Sequence, residues 1–250
     1  MSRLETLRLG FQSPRSHPDP ASRSPLPLTR SVLPRSHQTC VPRRSRVLGG
    51  LLAQIEIPVL NQLWIEFFMD LDFVVPQVHQ LISHTESFKT FHAASVYISN
   101  HTVLFSIWSE TNHSPDLSVA ISCRDLDYQL SSLAQFCNSS LLLPTLTHLD
   151  IMIRLNSQPH WNDDMETIQW LELLGPFTAV KSLRLQIDDP VRRHFCQALE
   201  ELAGERVTEV LPSLRTIIFS SLRGQEHGPE SIEGFVAARK LAGHPVAVHR

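Results

Sequence analysis

The sequence predicts an α/β fold in which parallel strands and helices alternate along a curved solenoid. The main observation is an apolar-x-x-apolar-x-apolar motif whose anchor residues, Leu146, Val180 and Leu214, are each 34 residues apart. Helical patterns fill the intervals between the motifs. A constant period of this length indicates stacked units, each of which buries its apolar face only against its neighbours.

The N-terminal part of the chain departs from this pattern. Residues 1–11 carry Leu4, Leu7 and Leu9 at the repeat spacing and are predicted to form an isolated repeat strand. Residues 12–50 are rich in Arg, Pro and Ser, and we predict them to be irregular and disordered. Such a segment buries too little apolar surface to offset the ordering of its backbone. Residues 51–250 form the predicted leucine-rich-repeat-like domain.

Strands and helices in residues 51–250 follow from alternating and helical apolar spacing, respectively. Residues 102–109 and 117–123 have no helix between them, so they are predicted to pair as a hairpin. Further strands are predicted at 57–67, 88–99 and the three repeat motifs, with a short final strand at 246–250. Helices are predicted at 75–84, 126–138, 164–174, about 188–204 and 229–242.

Charge is distributed unevenly and limits the classes of partner. The chain has a formal net charge of -3. Residues 1–50 hold nine Arg against Glu5 and Asp19, so residues 51–250 carry a net charge of -10. An acidic domain argues against a nucleic-acid-binding face, because phosphate binding needs clustered Lys and Arg.

Targeting signals and cysteine motifs are lacking in the sequence. The first residues form no signal peptide, and no apolar run approaches the roughly 20 residues that span a bilayer. The four cysteines form no C-x-x-C pair. We therefore predict an intracellular protein of the cytoplasm or nucleus that is neither secreted nor bound to a membrane.

The residue patterns predict no catalytic, metal or cofactor site. Thirteen His occur without an H-E-x-x-H or H-x-H arrangement, and there is neither a Gly-rich phosphate loop nor a G-x-S-x-G motif. The acidic pairs Asp163-Asp164 and Asp188-Asp189 lie where helices are predicted to begin, and the helix dipole favours negative charge there. The chain is therefore predicted not to be an enzyme, with a hydrolase on an α/β scaffold as a minor alternative.

The candidate binding surface is the open, concave face of the predicted strands. Side chains alternate across a strand, so the residues between the inward apolar ones point to this face. A polar face that carries a Trp and an Arg suits protein recognition, whereas a merely solvated sheet face is the equal alternative. The candidate protein-binding residues are Gln62, Trp64, Glu66, His148, Asp150, Met152, Ser182, Arg184, Gln186, Thr216, Ile218 and Ser220.

Residues 211–222 and 232–246 resemble the C-terminal end of fungal, mushroom-lineage F-box-type leucine-rich-repeat proteins. Residues 55–68 and the motif that begins at Leu143 are similar to that family too, so the resemblance covers most of residues 51–250. It implies the substrate-recognition arm of a ubiquitin ligase. In that family an N-terminal F-box docks the ligase adaptor, whereas nothing before Leu51 has the pattern of F-box helices. The adaptor is therefore expected as a partner only if an F-box lies upstream.

These observations favour a non-catalytic domain that recognises an unknown protein partner and needs no cofactor. The alternative is a truncated or misannotated fragment with no independent function. A chain that begins inside a repeat lacks the usual polar-faced cap, which favours a fragment of a longer protein over a frayed edge strand.

Overall fold

The computed structural model of the chain shows a mixed α/β fold. It describes residues 6–12, 61–68, 82, 88, 91–110, 114–123, 126–140, 143–155, 167–187, 189–202, 206–220 and 232–249. Most of the segment at 12–50 and of the predicted helix at 75–84 lies outside the described residues. Ile82, in that predicted helix, is described as helical and buried.

Nine strands of the described residues form one open sheet in the order β1-β2-β5-β4-β3-β6-β7-β8-β9. Every neighbouring pair is parallel except those that involve β4. The predicted α/β class with a largely parallel sheet is therefore confirmed. The strands are β1 (Thr6–Gln12), β2 (Gln62–Phe68), β3 (Ala93–Ser99), β4 (Thr102–Trp108), β5 (Leu117–Ser122), β6 (His148–Arg154), β7 (Ser182–Ile187), β8 (Thr216–Phe219) and β9 (Ala247–His249).

Four described helices share one apolar core with the sheet. Phe105 of β4 meets Phe136 of the first helix edge-on, and Trp170 of the second meets Phe195 of the third in the same way. Aromatic pairs of this geometry contribute about 0.5–1.5 kcal/mol beyond their buried area. The helices are α1 (Leu126–Asn138), α2 (Thr167–Leu174), α3 (Asp189–Glu200) and α4 (Glu233–Leu241).

The repeat motif has the same backbone geometry each time it occurs. The amide of each anchor residue donates to the carbonyl three residues earlier, with N–O distances of 3.1 Å at Leu146, 3.3 Å at Val180 and 3.0 Å at Leu214. All three anchors are buried. The pairing register then places Leu149 beside Leu183, and Leu183 beside Ile217. The predicted 34-residue repeat is therefore present in β6, β7 and β8.

The strands were expected to run in one direction apart from a single hairpin, and the two antiparallel pairings of β4 correct this expectation. The predicted pairing of β4 with β5 is confirmed, but β4 is also antiparallel to β3. Only Asn100 and His101 separate β3 from β4, and a connection this short joins only antiparallel strands. The hydroxyl of Ser99 closes the turn through two hydrogen bonds with Thr102. It accepts from the amide of Thr102 at 3.2 Å and donates to the carbonyl of Thr102 at 3.0 Å.

The apolar stripe predicted for the last helix is only partly buried. Ile232 and Phe235 lie in the core, whereas the side chain of Leu241 is 89% exposed. Leu241 is the final residue of α4, and Gly243 follows with a φ of 79°. A left-handed glycine at this position ends a helix, so Leu241 lies at the exposed end of α4.

A buried arginine joins α4 to the last repeat motif. The side chain of Arg239 is fully buried, and its guanidinium lies 5.8 Å from the ring centroid of Phe235. Burial lowers the pKa of Arg239, and none of its hydrogen-bond partners among the described residues is a carboxylate. It donates five hydrogen bonds, to the carbonyls of Val207, Leu211 and Pro212 at 3.2 Å each, of Leu214 at 3.0 Å and of His244 at 3.3 Å.

Within the described residues, no helix is both long enough and apolar enough to cross a membrane.

We expect Arg239→Met to lower the free energy of unfolding by about 3 kcal/mol, because it leaves buried carbonyls without donors. The matched control is Lys240→Met at the next, exposed position, which should change stability by less than about 0.5 kcal/mol. Urea denaturation followed by circular dichroism measures both. Equal losses in the two variants would contradict this role of Arg239.

Candidate functional site

The face of the sheet opposite the described helices, here called the strand face, carries the twelve predicted binding residues. Residues of β6 alternate between core and strand face, with Leu149, Ile151 and Ile153 buried. None of the twelve belongs to the buried core. Ser220 lies one residue beyond the end of β8, where its amide donates to the carbonyl of Leu185 at 2.9 Å.

The register brings eight of the twelve residues together in rows across β6, β7 and β8, and Ser220 follows directly after β8. One row contains His148, Ser182 and Thr216, and the next contains Asp150, Arg184 and Ile218. Met152 pairs with Gln186 in a third. The three residues of β2 lie elsewhere, because β5, β4 and β3 separate β2 from β6. At about 4.8 Å per strand, that separation is roughly 19 Å.

The β2 residues form a cluster of their own with β1. The guanidinium of Arg8 lies 5.0 Å from the ring centroid of Trp64, and its Nη2 is 3.7 Å from Oε2 of Glu66. A cation over an indole face contributes about 0.5–1 kcal/mol at an exposed site. The indole N–H of Trp64 is shielded and has no acceptor among the described residues. Arg8 therefore holds the Trp64 ring through its face.

Three small side chains of β4 and β5 are buried in the middle of the strand face, beside the larger Leu104. The hydroxyls of Ser106 on β4 and Ser118 on β5 are 3.0 Å apart, and both residues are buried. Ala120 on β5 is 2% exposed. The buried serines satisfy one another, as buried hydroxyls generally must. This part of the face thus offers few polar groups to a ligand.

Two histidines and a threonine form a polar group where β3 and β6 begin, at the end of the strand face. The imidazole centroids of His92 and His148 are 4.4 Å apart. Oγ1 of Thr147 lies 3.1 Å from Nδ1 of His92 and 2.9 Å from Nδ1 of His148, and it can also donate to the carbonyl oxygen of His92 at 3.3 Å. A hydroxyl donates only one hydrogen bond, so at least one of these Nδ1 atoms must carry a proton.

The charges around this pair shift two pKa values. Burial lowers the pKa of His148, and the neighbouring His92 lowers it further, whereas the Asp150 carboxylate opposes both. Burial raises the pKa of Asp150, against the opposing effects of Arg184 and His148. The ion pair between Oδ2 of Asp150 and Nη1 of Arg184 is long, at 3.8 Å, and both side chains are partly exposed. Such a pair contributes little to stability.

The polar groups of this cluster can form ion pairs and hydrogen bonds. Among the described residues there is no group of three or more His, Cys, Asp or Glu that could hold a metal ion. The hydrolase alternative gains no support from Thr147, because its hydroxyl is shared between the Nδ1 atoms of two imidazoles. A hydrolytic relay needs the nucleophile on one ring nitrogen and a carboxylate on the other.

Sequence reasoning missed Arg8, His92 and Thr147. A signal existed for Arg8, because it stands between Leu7 and Leu9, which carry the repeat spacing of the first strand. His92 and Thr147 are 55 residues apart and meet only because β3 pairs with β6. No local pattern encodes that pairing.

Comparisons with protein-family models and with curated proteins found no match to this chain. The resemblance to F-box-type leucine-rich-repeat proteins therefore stays a prediction.

We expect the imidazole of His148 to titrate below the ordinary value of about 6.5 in the folded protein. Asp150→Asn should lower this pKa further, because it removes a negative charge that favours the protonated imidazole. His92→Asn should raise it, because it removes a neighbour that disfavours the protonated form. NMR titration of the imidazole Hε1 resonances measures all three values.

The same shift makes stability depend on pH. A histidine whose pKa is lowered by folding binds a proton more readily in the unfolded chain. Its contribution to the free energy of unfolding is therefore full above about pH 6.5, and it is lost as the pH falls below that value and the unfolded chain takes up the proton. A His148 that titrates at or above the ordinary value would contradict the lowered pKa expected here.

Proposed function

We propose that this chain is a non-catalytic protein-recognition domain whose binding surface is the strand face of β6, β7 and β8. The observation that carries the proposal is the register of these strands. It aligns Asp150 with Arg184 and His148 with Ser182 in straight rows. The apolar residues that alternate with them along the strands are buried in the core. A rigid sheet that presents ordered rows of polar side chains is pre-organised for binding, so a ligand loses little affinity to ordering of the site.

The same proposal extends to the shape and the cellular role. The 34-residue period and the parallel pairing of β6, β7 and β8 support stacking of units into a curved leucine-rich-repeat-like solenoid. The strand face would be its concave side. The resemblance supports the recognition arm of an F-box-like ubiquitin-ligase subunit inside the cell, which binds the ligase adaptor only if an F-box lies upstream. In that reading the strand face selects the substrate and performs no chemistry itself.

Site-specific photo-crosslinking tests the location of the binding surface. p-Benzoylphenylalanine replaces Gln186 on β7 in one variant and Gln197 on the exposed side of α3 in the other. In native cell extract, we expect one discrete protein adduct from position 186 and none of that mass from position 197. Excess unlabelled protein should remove the adduct by competition.

A second substitution separates specific binding from incidental contact. Met152 lies beside Gln186 in the same row. The substitution Met152→Glu should abolish the adduct at position 186 without changing the unfolding temperature. Adducts that form equally at both positions, or that survive Met152→Glu, would contradict the proposal.

A further inference from the structure

Three large, mainly apolar side chains lie side by side on the strand face. Tyr97 of β3 pairs with Leu104 of β4 on one side and with Met152 of β6 on the other. Each is partly exposed and stands between two buried residues of its strand, and none of the three belongs to the core. At about 4.8 Å per strand, these three residues form an apolar strip roughly 10 Å long.

Polar rows border the apolar strip on both sides. In the direction of β6, the row before the strip contains Ser106, Ser95 and Asp150, and the row after it contains Thr102, Ser99 and Arg154. The strip is therefore only one residue deep along the strands. A partner helix would lay apolar residues over several rows at once, whereas a single large apolar side chain fits between the two polar rows.

The two polar rows differ in charge. The side chain of Arg154 is exposed and forms no ion pair or hydrogen bond among the described residues. Asp150 lies on the other side of the strip, 3.8 Å from Arg184, so the two opposite charges offset each other there. A carboxylate that approaches the strip is therefore attracted more strongly to the Arg154 side than to the Asp150 side.

We propose that the apolar strip and Arg154 together bind an extended segment of the protein partner. One large apolar side chain of the segment lies on the strip, and an acidic side chain two residues away binds Arg154. Met152 and Arg154 are two residues apart on β6, a distance of about 6.7 Å. In an extended segment, side chains two residues apart point the same way with the same spacing, so both contacts form at once.

This inference rests on the proposed function and gives the partner a chemical pattern. The residue types of the site support it, because aromatic residues, Met and Arg are enriched at the contact centres of protein interfaces. The hydroxyl of Tyr97 has no hydrogen-bond partner among the described residues. It is therefore available to the backbone of the segment, whose polar groups need partners once the segment is bound.

NMR of the methionine methyl groups in the full chain tests the proposal. The chain has four Met, and Met152 lies in the strip, where its methyl resonance is assigned with Met152→Leu. The probe is the peptide Ser-Ser-Phe-Ser-Glu-Ser. Three control peptides replace Phe with Ala, replace Glu with Gln, or exchange Glu with the Ser before it, which turns the carboxylate to the other side of the segment.

We expect the probe to shift the Met152 resonance in a saturable manner, and the Ala control to leave it unmoved. The Gln control and the exchanged control should bind about threefold more weakly, as expected for the loss of one exposed ion pair. Because all four peptides are compared on the unsubstituted chain, this comparison does not depend on the folding of any variant.

Substitutions locate the two contacts. Arg154→Gln should bind the probe about threefold more weakly and should no longer distinguish it from the Gln control. Tyr97→Thr and Leu104→Thr each remove part of the strip, and each should weaken binding about fivefold. Arg193→Gln, at an exposed position of α3, should leave binding unchanged. Circular dichroism confirms that each variant is folded.

Several outcomes would overturn the proposal. An unmoved Met152 resonance, or equal binding of the Phe and Ala peptides, rules out the apolar anchor. Equal binding of the Glu and Gln peptides to the unsubstituted chain rules out the role of Arg154. If the probe fails to bind while the adduct at position 186 persists, this inference alone is wrong. Loss of both removes the proposed function as well.

Discussion

The pairing register of β6, β7 and β8 is the constraint on which both the core and the strand face depend. Leu149, Leu183 and Ile217 lie side by side and are fully buried. A shift of one residue would exchange the two faces, so that Leu183 would point to solvent and Arg184 would enter the core. An unpaired guanidinium in an apolar core costs several kcal/mol, so this alternative is strongly excluded. The turn repeated before each strand sets where the strand begins and so helps to fix the register.

Two departures from the repeat determine the extent of the regular surface. The reversed strand β4 brings β3, β4 and β5 between β2 and β6, and thereby separates the Arg8–Trp64 cluster from the rows of β6 to β8. At the other end, Arg239 satisfies five carbonyls around the last motif. That motif includes Leu211, whose φ of 51° lies in the left-handed region that side chains disfavour. Burial of Leu211 and its hydrogen bond from Arg239 stabilise this conformation.

Much of the fold was predictable because it is local. The bounds predicted for α1, residues 126–138, match the structure, and the apolar stripe of α3 with Val191, Phe195 and Leu199 is buried as expected. These elements depend on helical spacing within one segment. The direction of β4 and the meeting of His92 with Thr147 depend on which strands pair, and that is a non-local choice. The exposure of Leu241 depends on where the helix ends relative to its neighbours, which apolar spacing alone does not encode.

The electrostatics of the strand face follow from the same register. A row of equivalent positions brings side chains of adjacent strands within reach, so Asp150 and Arg184 meet whether or not their attraction is strong. Their long separation and exposure make the pair a poor source of stability. Burial raises the pKa of Asp150 even with Arg184 beside it, so the fold disfavours the charge of Asp150 more than its neighbour favours it. The register of β6 and β7, and not the attraction between the two charges, therefore sets the positions of Asp150 and Arg184.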